Sequence, residues 1–240
     1  MAIPPADLAE QANPKTLAEV RAGFRQATRV HGSLLAAAEK RALLWMAERM
    51  PDWVKSDHLT VLGFAAQITT GVCYALAALD RRWLLAAIIC LAVNWLGDSL
   101  DGTLARVRQQ QRPRYGFYVD HMIDSFGAVA MMGGLALSGS MHPVIAIGLL
   151  IGFLLLSIQS YLAAYTIGEF HLSFWRFGPT ELRILLSIGN LAAFRWTWID
   201  HGRYRLFDVG GAVGLVVMAA MLIAITLKNT VRLYREERIG

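Results

Sequence analysis

Hydrophobic residues in this chain gather into six long, nearly continuous stretches separated by short polar segments. We place the stretches at Leu59–Leu79, Trp83–Leu100, Phe117–Leu137, Pro143–Ile167, Pro179–Trp198 and Phe207–Leu227. Each has roughly 18 to 25 residues, enough for a helix to cross a hydrocarbon core about 30 Å thick. The stretches do not alternate apolar and polar positions, as the strands of a membrane barrel would. The pattern therefore predicts an all-α integral membrane protein with six transmembrane helices.

The chain divides into a polar N-terminal segment, residues 1–58, and a six-helix transmembrane domain, residues 59–240. The segment contains a predicted helix whose apolar side chains share much of one face: Leu35, Leu43, Leu44 and Met46. Glu39 and Lys40 lie elsewhere on this helix, so the helix is expected to be amphipathic. It either lies along the membrane surface or packs on the protein's own cytoplasmic side, and both arrangements fit the pattern.

The charge of the chain is distributed unevenly. A hydrophobic fraction of 55% excludes an ordinary soluble domain, and a formal net charge of +5 would by itself allow a nucleic-acid partner. Six spans put both termini on one side, which then holds 18 of the 23 Lys and Arg residues. The positive-inside rule predicts that this side is cytoplasmic. Topology and anionic lipid account for the basic excess, so we expect membrane lipid and no nucleic acid as a partner.

Four aspartates stand near the membrane end of the second and third stretches. Asp98 and Asp101 are three residues apart, and Asp120 and Asp124 are four apart, so each pair projects from one helix face. Because a short loop joins the two helices, we expect them to be antiparallel neighbours whose carboxylates converge. Several carboxylates in a partly dehydrated site stay ionised only with positive charge among them. Oxygen ligands without clustered Cys or His favour Mg²⁺ or Mn²⁺, and four carboxylates are enough for two ions.

Small and basic residues accompany the aspartates. Gly102 and Ala105 keep one helix face small, so that a phosphate-bearing ligand can approach the backbone, and Gly116 does the same at the start of the third stretch. Arg106 adds a positive fork. It either binds a diphosphate or holds a metal-ligating carboxylate, and the sequence leaves both roles open.

The spacing of these residues resembles the signature of the CDP-alcohol phosphotransferase family. The chain reads Asp-x2-Asp-Gly-x2-Ala-Arg-x9-Gly-x3-Asp-x3-Asp between Asp98 and Asp124. The family's six spans, cytoplasmic termini and N-terminal amphipathic helix also match the pattern described above. The resemblance implies a metal-dependent transferase that makes phospholipids, in which an acceptor alkoxide attacks a CDP-linked donor and CMP leaves.

The resemblance also implies roles for individual residues. Asp98, Asp101 and Asp120 bind the two metals, with Asp120 bridging them, and Asp124 contacts metal and deprotonates the acceptor hydroxyl. The residues implied to lie against the cytidine diphosphate are Asp98, Gly102, Ala105, Arg106 and Gly116. The family also implies a homodimer. Gly148 and Gly152 form a Gly-x3-Gly pair that fits close helix contact either within one chain or between subunits.

Four charged residues outside the signature are candidates for an acceptor pocket. Glu181 and Arg183 follow a proline at the start of the fifth stretch, and Arg112 and Arg114 lie in the loop before Gly116. An arginine at these places can attract an anionic substrate. It can equally serve as a cytosolic anchor that sets the topology.

The signature does not identify the donor. A compact six-span chain resembles prokaryotic members that transfer a phosphatidyl group from CDP-diacylglycerol to a small polar alcohol, which would place the protein in a bacterial cytoplasmic membrane. The run from Asp120 to Ser125, with Pro51–Val54 and Leu59–Thr60 upstream, is also similar to choline/ethanolamine phosphotransferases, in which the soluble alcohol arrives on CDP and diacylglycerol is the acceptor. An alternative of another class is a divalent-cation or proton-coupled transporter, because intramembrane carboxylates also form ion pathways.

Overall fold

The structure is a computed structural model that describes residues 28–29, 36–170, 179–196 and 205–238. This part of the chain contains seven helices: α1 Ala36–Glu48, α2 Ser56–Leu76, α3 Trp83–Val107, α4 Pro113–Leu137, α5 Pro143–Thr166, α6 Pro179–Arg195 and α7 Leu206–Glu236. Two segments of two residues each, β1 (Thr28–Arg29) and β2 (Glu169–Phe170), pair in parallel. They are too short to form a layer, so the predicted all-α class is confirmed. Most of the predicted N-terminal segment, including Leu35, and the end of the fifth stretch at Trp198 lie outside the described residues.

Four of the described helices, α2, α3, α5 and α7, are long and apolar enough to cross a membrane. Helix α6 has only 17 residues, and α4 carries Asp120, His121 and Asp124 in its first half, so neither joins this group. All six predicted stretches are helical, but the six-span arrangement is not confirmed. Large apolar side chains such as Ile151 and Val216 point outward from α5 and α7. An outer surface of this kind indicates a membrane protein.

The helices that carry the signature are longer than the apolar stretches predicted. Helix α3 continues seven residues past Leu100, and α4 begins at Pro113 instead of Phe117. Proline is favoured in the first helical turn, and α4, α5 and α6 all begin with one. The signature residues on both sides of the connecting loop therefore lie within helices, and the helical backbone fixes their positions.

Helix α2 packs closely on both α3 and α4, whereas α3 and α4 are not among the closely packed pairs. The expectation that α3 and α4 are direct neighbours is therefore wrong in detail. Glycines explain the arrangement: a Cβ on Gly97 would lie 2.6 Å from Gly63 Cα, and one on Gly134 would lie 2.0 Å from the Gly71 carbonyl oxygen. These contacts bring the backbone of α2 against both signature helices.

Helix α1 packs on the protein itself. Leu43 and Ala47 are buried in one cluster with Leu100 and Leu104 of α3. Glu39, which we placed away from the packed face, instead accepts a hydrogen bond from Trp95 on α3. Packing on the protein is thus the arrangement that the structure supports, and a position along the membrane surface is not confirmed.

Gly148 and Gly152 face another helix of the same chain. A Cβ on Gly148 would lie 3.1 Å from Leu215 Cδ2, and one on Gly152 would lie 3.2 Å from Met218 Cε. Both neighbours belong to α7, so this pair packs α5 on α7 within the chain.

Candidate active site

The four signature aspartates line one pocket between α2, α3 and α4. Its walls are formed by Thr60, Gly63, Phe64 and Gln67 of α2, Asn94, Asp98 and Asp101 of α3, and Asp120, Ile123 and Asp124 of α4. Because α2 packs between the two signature helices, it forms the floor on which their carboxylates face each other. The carboxylates gather at one place near the loop between α3 and α4.

Asp101 is held by hydrogen bonds from two sides. Its Oδ2 accepts a hydrogen bond of 2.7 Å from Thr60 Oγ1, and its Oδ1 accepts one from the Gly102 amide. Ser56 Oγ also donates to the Asp101 carbonyl oxygen at 3.0 Å. The side chain is buried, so these donors compensate for the loss of water and fix its direction.

Asp98 pairs with a cation from a distant helix. Arg183 of α6 donates from Nη2 to Asp98 Oδ2 at 2.6 Å and from Nε to Asn94 Oδ1 at 2.8 Å. Asn94 in turn donates from Nδ2 to the Gly63 carbonyl oxygen at 2.9 Å. A hydrogen-bonded chain therefore runs from α6 through α3 to α2 across one wall of the pocket, and it places Arg183 at the acidic site.

Asp120 and Asp124 complete the acidic wall from α4. Asp124 is half-buried and interacts electrostatically with Asp98, Asp120, Asp101 and Arg183. The pocket thus brings four carboxylates together. This environment favours binding of a further cation.

The donor atoms of the pocket fit a divalent oxygen-ligated cation. Carboxylates supply most of them, with the Thr60 hydroxyl and the Gln67 amide beside them, as Mg²⁺ and Mn²⁺ prefer. Among the described residues, no three His, Cys, Asp or Glu side chains already form a ligand group. Asp98 turns toward Arg183 and Asp101 toward Thr60, so metal binding would require both to exchange partners or share them.

The small residues of the signature face open space. The nearest atom to a Cβ on Gly102 would be Arg106 Nη1 at 3.6 Å, and a Cβ on Gly116 would meet nothing within 4 Å. Close helix packing thus does not explain these glycines, unlike Gly63. Ala105 is half-buried on the same helix, and Arg106 is exposed, with Nη2 donating to Thr103 Oγ1 at 3.0 Å.

The four acceptor-pocket candidates occupy different places. Arg183 reaches the acidic pocket, as described. Arg112 forms an ion pair with Asp57, and its guanidinium lies 4.2 Å from the centre of the Tyr115 ring. Arg114 is exposed on the first turn of α4, and Glu181 is half-buried but is not one of the residues that line the pocket.

Sequence reasoning missed the contribution of α2. Thr60, Gly63 and Gln67 are spaced by three and four residues, so they share one face of an apolar helix. This stripe of small and polar residues on an apolar helix could have predicted that α2 lines the pocket. Thr60 is the residue with the clearest role, because it fixes Asp101.

The sequence matches the model of the CDP-alcohol phosphatidyltransferase family over residues 53–227. This region contains every residue that lines the pocket, together with Arg183 on α6, which pairs with Asp98. No individual curated protein is similar enough to add to this match. Because the matched region covers well over half of the chain and contains the acidic pocket, the chain belongs to the CDP-alcohol phosphatidyltransferase family.

Proposed function

We propose that the protein transfers a phosphatidyl group from CDP-diacylglycerol to a small polar alcohol, with Mg²⁺ or Mn²⁺ as cofactor and CMP as the leaving group. Family membership supports transfer from a CDP-alcohol to an alcohol. The observation that carries the metal dependence is the pocket in which Asp98, Asp101, Asp120 and Asp124 come together.

The four aspartates would hold two divalent ions. When bound, these ions neutralise the carboxylates, polarise the diphosphate and stabilise the charge that develops on CMP. Asp101 is already oriented by Thr60, and it would bind metal by sharing its carboxylate between the Thr60 hydroxyl and the ion. Asp120 lines the same pocket from α4 and would be a further ligand.

Asp124 is the proposed general base. It takes the proton from the acceptor hydroxyl, and the resulting alkoxide attacks the phosphorus that carries the donor alcohol. The bond from this phosphorus to the CMP oxygen breaks, and CMP leaves with the electron pair. The half-buried position of Asp124 in the pocket, together with the other three carboxylates, supports this role.

The open faces of Gly102 and Gly116 are proposed to receive the cytidine diphosphate. A Cβ on Gly116 would meet no protein atom within 4 Å, and one on Gly102 would contact the Arg106 guanidinium at 3.6 Å. Ala105 lies on the same helix as Gly102, and Arg106 is exposed beside it. Arg106, which also donates to Thr103 Oγ1, is proposed to bind the diphosphate through its guanidinium.

Arg183 is proposed to serve the acceptor. Its guanidinium is held against α3 by Asp98 and Asn94. A fixed guanidinium at this place can orient a polar or anionic alcohol toward Asp124. Arg112 and Arg114 do not line the pocket, and their proposed role is to attract an anionic substrate. Glu181 is also outside the lining, and its proposed role is to contact the acceptor.

We further propose six spans with both termini and the pocket on the cytoplasmic side of a bacterial membrane, and a homodimeric assembly. The excess of basic residues on the predicted inner side supports the orientation. The N-terminal helix, packed on α3, would then lie at the inner membrane surface.

The test is a CMP-release assay with purified protein in detergent. Labelled CDP-diacylglycerol, CDP-choline or CDP-ethanolamine is offered with Mg²⁺ or Mn²⁺ and a panel of inositol, inositol phosphate, glycerol phosphate, serine and diacylglycerol. We expect metal-dependent CMP release and a lipid product with CDP-diacylglycerol. Turnover only with CDP-choline or CDP-ethanolamine and diacylglycerol would establish the alternative donor, and no turnover with any pair would contradict the proposal.

A transporter is the competing function. It predicts ion flux into liposomes without CMP formation, and acidic residues distributed across the bilayer. The four aspartates instead gather in one pocket, which favours the enzyme.

A further inference from the structure

Glu39 joins three helices through one carboxylate oxygen. Its Oε1 accepts hydrogen bonds from Trp95 Nε1 at 2.8 Å and from Thr180 Oγ1 at 2.9 Å, and Ser99 Oγ lies 3.4 Å away. Trp95 and Ser99 belong to α3, and Thr180 belongs to α6, whereas Glu39 itself is on α1. Hydrogen bonds to an ionised acceptor are among the strongest that side chains form.

The partners of Glu39 stand next to the acidic pocket. Ser99 directly follows Asp98, and Thr180 precedes Arg183 by three residues, about one helical turn. Arg183 then donates to Asp98 at 2.6 Å. Two sets of hydrogen bonds thus connect α6 with α3. Glu39 bridges Thr180 and Trp95 at the first turn of α6, and Arg183 donates to Asp98 one turn later.

Hydrogen bonds to a neighbouring helix matter most at the first turn of a helix, which is less stable than its middle. Helix α6 begins at Pro179, so Thr180 lies in the turn whose backbone amide groups have no partner within the helix. Helix ends open more easily than their middles. A movement of this turn away from α3 would carry Arg183 with it, because one turn of helix is rigid over that distance.

We propose that Glu39 is a positioning residue that fixes the first turn of α6 on α3 and thereby holds Arg183 in the acidic pocket. The kinetic consequence rests on the proposed function, in which Arg183 orients the acceptor. The mechanical consequence, a fixed distance between α1 and α6, does not depend on it.

The kinetic test compares Glu39→Ala with Glu39→Gln and with the control Glu48→Ala. We expect Glu39→Ala to raise the KM for the acceptor about tenfold, the equivalent of one charge-assisted hydrogen bond, with the KM for the CDP donor unchanged. Glu39→Gln keeps an oxygen acceptor and should recover most of the loss. Glu48 lies on the exposed side of the same helix, so its substitution removes the same charge and should leave both KM values unchanged.

The mechanical test measures the distance between spin labels at Arg41→Cys and Leu185→Cys by pulsed electron paramagnetic resonance. Arg41 and Leu185 are exposed on α1 and α6, and Cys73 and Cys90 are first replaced by alanine. We expect a narrow distance distribution that broadens in Glu39→Ala and stays narrow in Glu39→Gln.

Two outcomes would overturn the positioning role. One is an unchanged distribution with an unchanged acceptor KM in Glu39→Ala. The other is a lower yield of folded protein with both KM values and the distance unchanged, which would make Glu39 a stabilising residue only. If the parent protein transfers no substrate at all, the proposed function fails, and the distance measurement still decides whether Glu39 fixes α6.

Discussion

Asp98 and Asp124 carry the same carboxylate in different surroundings. The Asp98 side chain is 41% exposed and pairs with Arg183, whereas Asp124 is half-buried among the other three aspartates. Asp98 would bind metal while sharing its carboxylate with the Arg183 guanidinium. Asp124, set among the other carboxylates of the pocket, is the residue proposed to take the proton.

The proposed base is tested by Asp124→Asn. We expect turnover to fall by about 100-fold or more, because a positioned general base contributes roughly 10² to 10⁴ in rate. Binding of the CDP donor should persist, since the amide keeps the size of the side chain. The measurements are CMP release and equilibrium binding of labelled donor.

Asp98→Asn and Asp120→Asn serve as comparisons for this variant. Both are expected to weaken metal binding, seen as a higher Mg²⁺ or Mn²⁺ concentration for half-maximal activity and as weaker Mn²⁺ binding by calorimetry. Near-normal turnover in Asp124→Asn would contradict its role as base.

Single residues were predictable where their partners are close in sequence. Asp120 and Asp124 share a helix face by spacing alone, and the signature pointed to them. Thr60 and Asp101 are 41 residues apart, and Arg183 and Asp98 are 85 apart. Contacts over such separations depend on how helices pack, which the local pattern does not contain.

At the scale of elements, the position of α2 determines the shape of the pocket. Gly63 and Gly97 bring α2 and α3 into backbone contact, and Gly71 and Gly134 do the same for α2 and α4. The apolar runs predicted each of these helices but gave no order of packing, because lipid-facing and protein-facing positions are equally apolar in a membrane protein.

The close approach is tested by Gly97→Ala. The new Cβ would lie 2.6 Å from Gly63 Cα and 2.7 Å from the Leu59 carbonyl oxygen, so the helices must separate. We expect a loss of about 1 to 3 kcal/mol in the free energy of unfolding, measured as a lower thermal unfolding temperature in detergent, together with reduced turnover.

The matched control is Gly133→Ala on α4. A Cβ there meets nothing within 4 Å, and alanine is a better helix former than glycine by about 1 kcal/mol. This variant should therefore be as stable as the parent or more so. Equal shifts in both variants would refute the importance of backbone contact at Gly97.

Across the whole molecule, the uneven distribution of charge makes a prediction about orientation. Gln110 lies in the exposed loop between α3 and α4, and Asp80 lies in the exposed loop between α2 and α3. In a background without Cys73 and Cys90, we expect a cysteine at position 110 to react with a membrane-impermeant maleimide only from the cytoplasmic side. A cysteine at position 80 should react only from the opposite side.

Inverted membrane vesicles and intact spheroplasts supply the two sides for this labelling experiment. Labelling of both positions from the same side would show that α3 does not cross the membrane.

The hydropathy pattern and the charge distribution were enough to predict helices and a membrane location. Among the described residues, four helices are long and apolar enough to cross a membrane. The crossings by α4 and α6 stay predictions, because α4 contains polar site residues that lower its hydropathy and α6 is shorter than a typical span.

The place of α2 under the acidic pocket has a consequence for protein engineering. A designer who transplanted only the segment from Asp98 to Asp124 onto another pair of helices would move every signature residue and still lose the hydroxyl that orients Asp101. The smallest transferable unit is three helices, beginning at Ser56, with glycines retained at the two crossings.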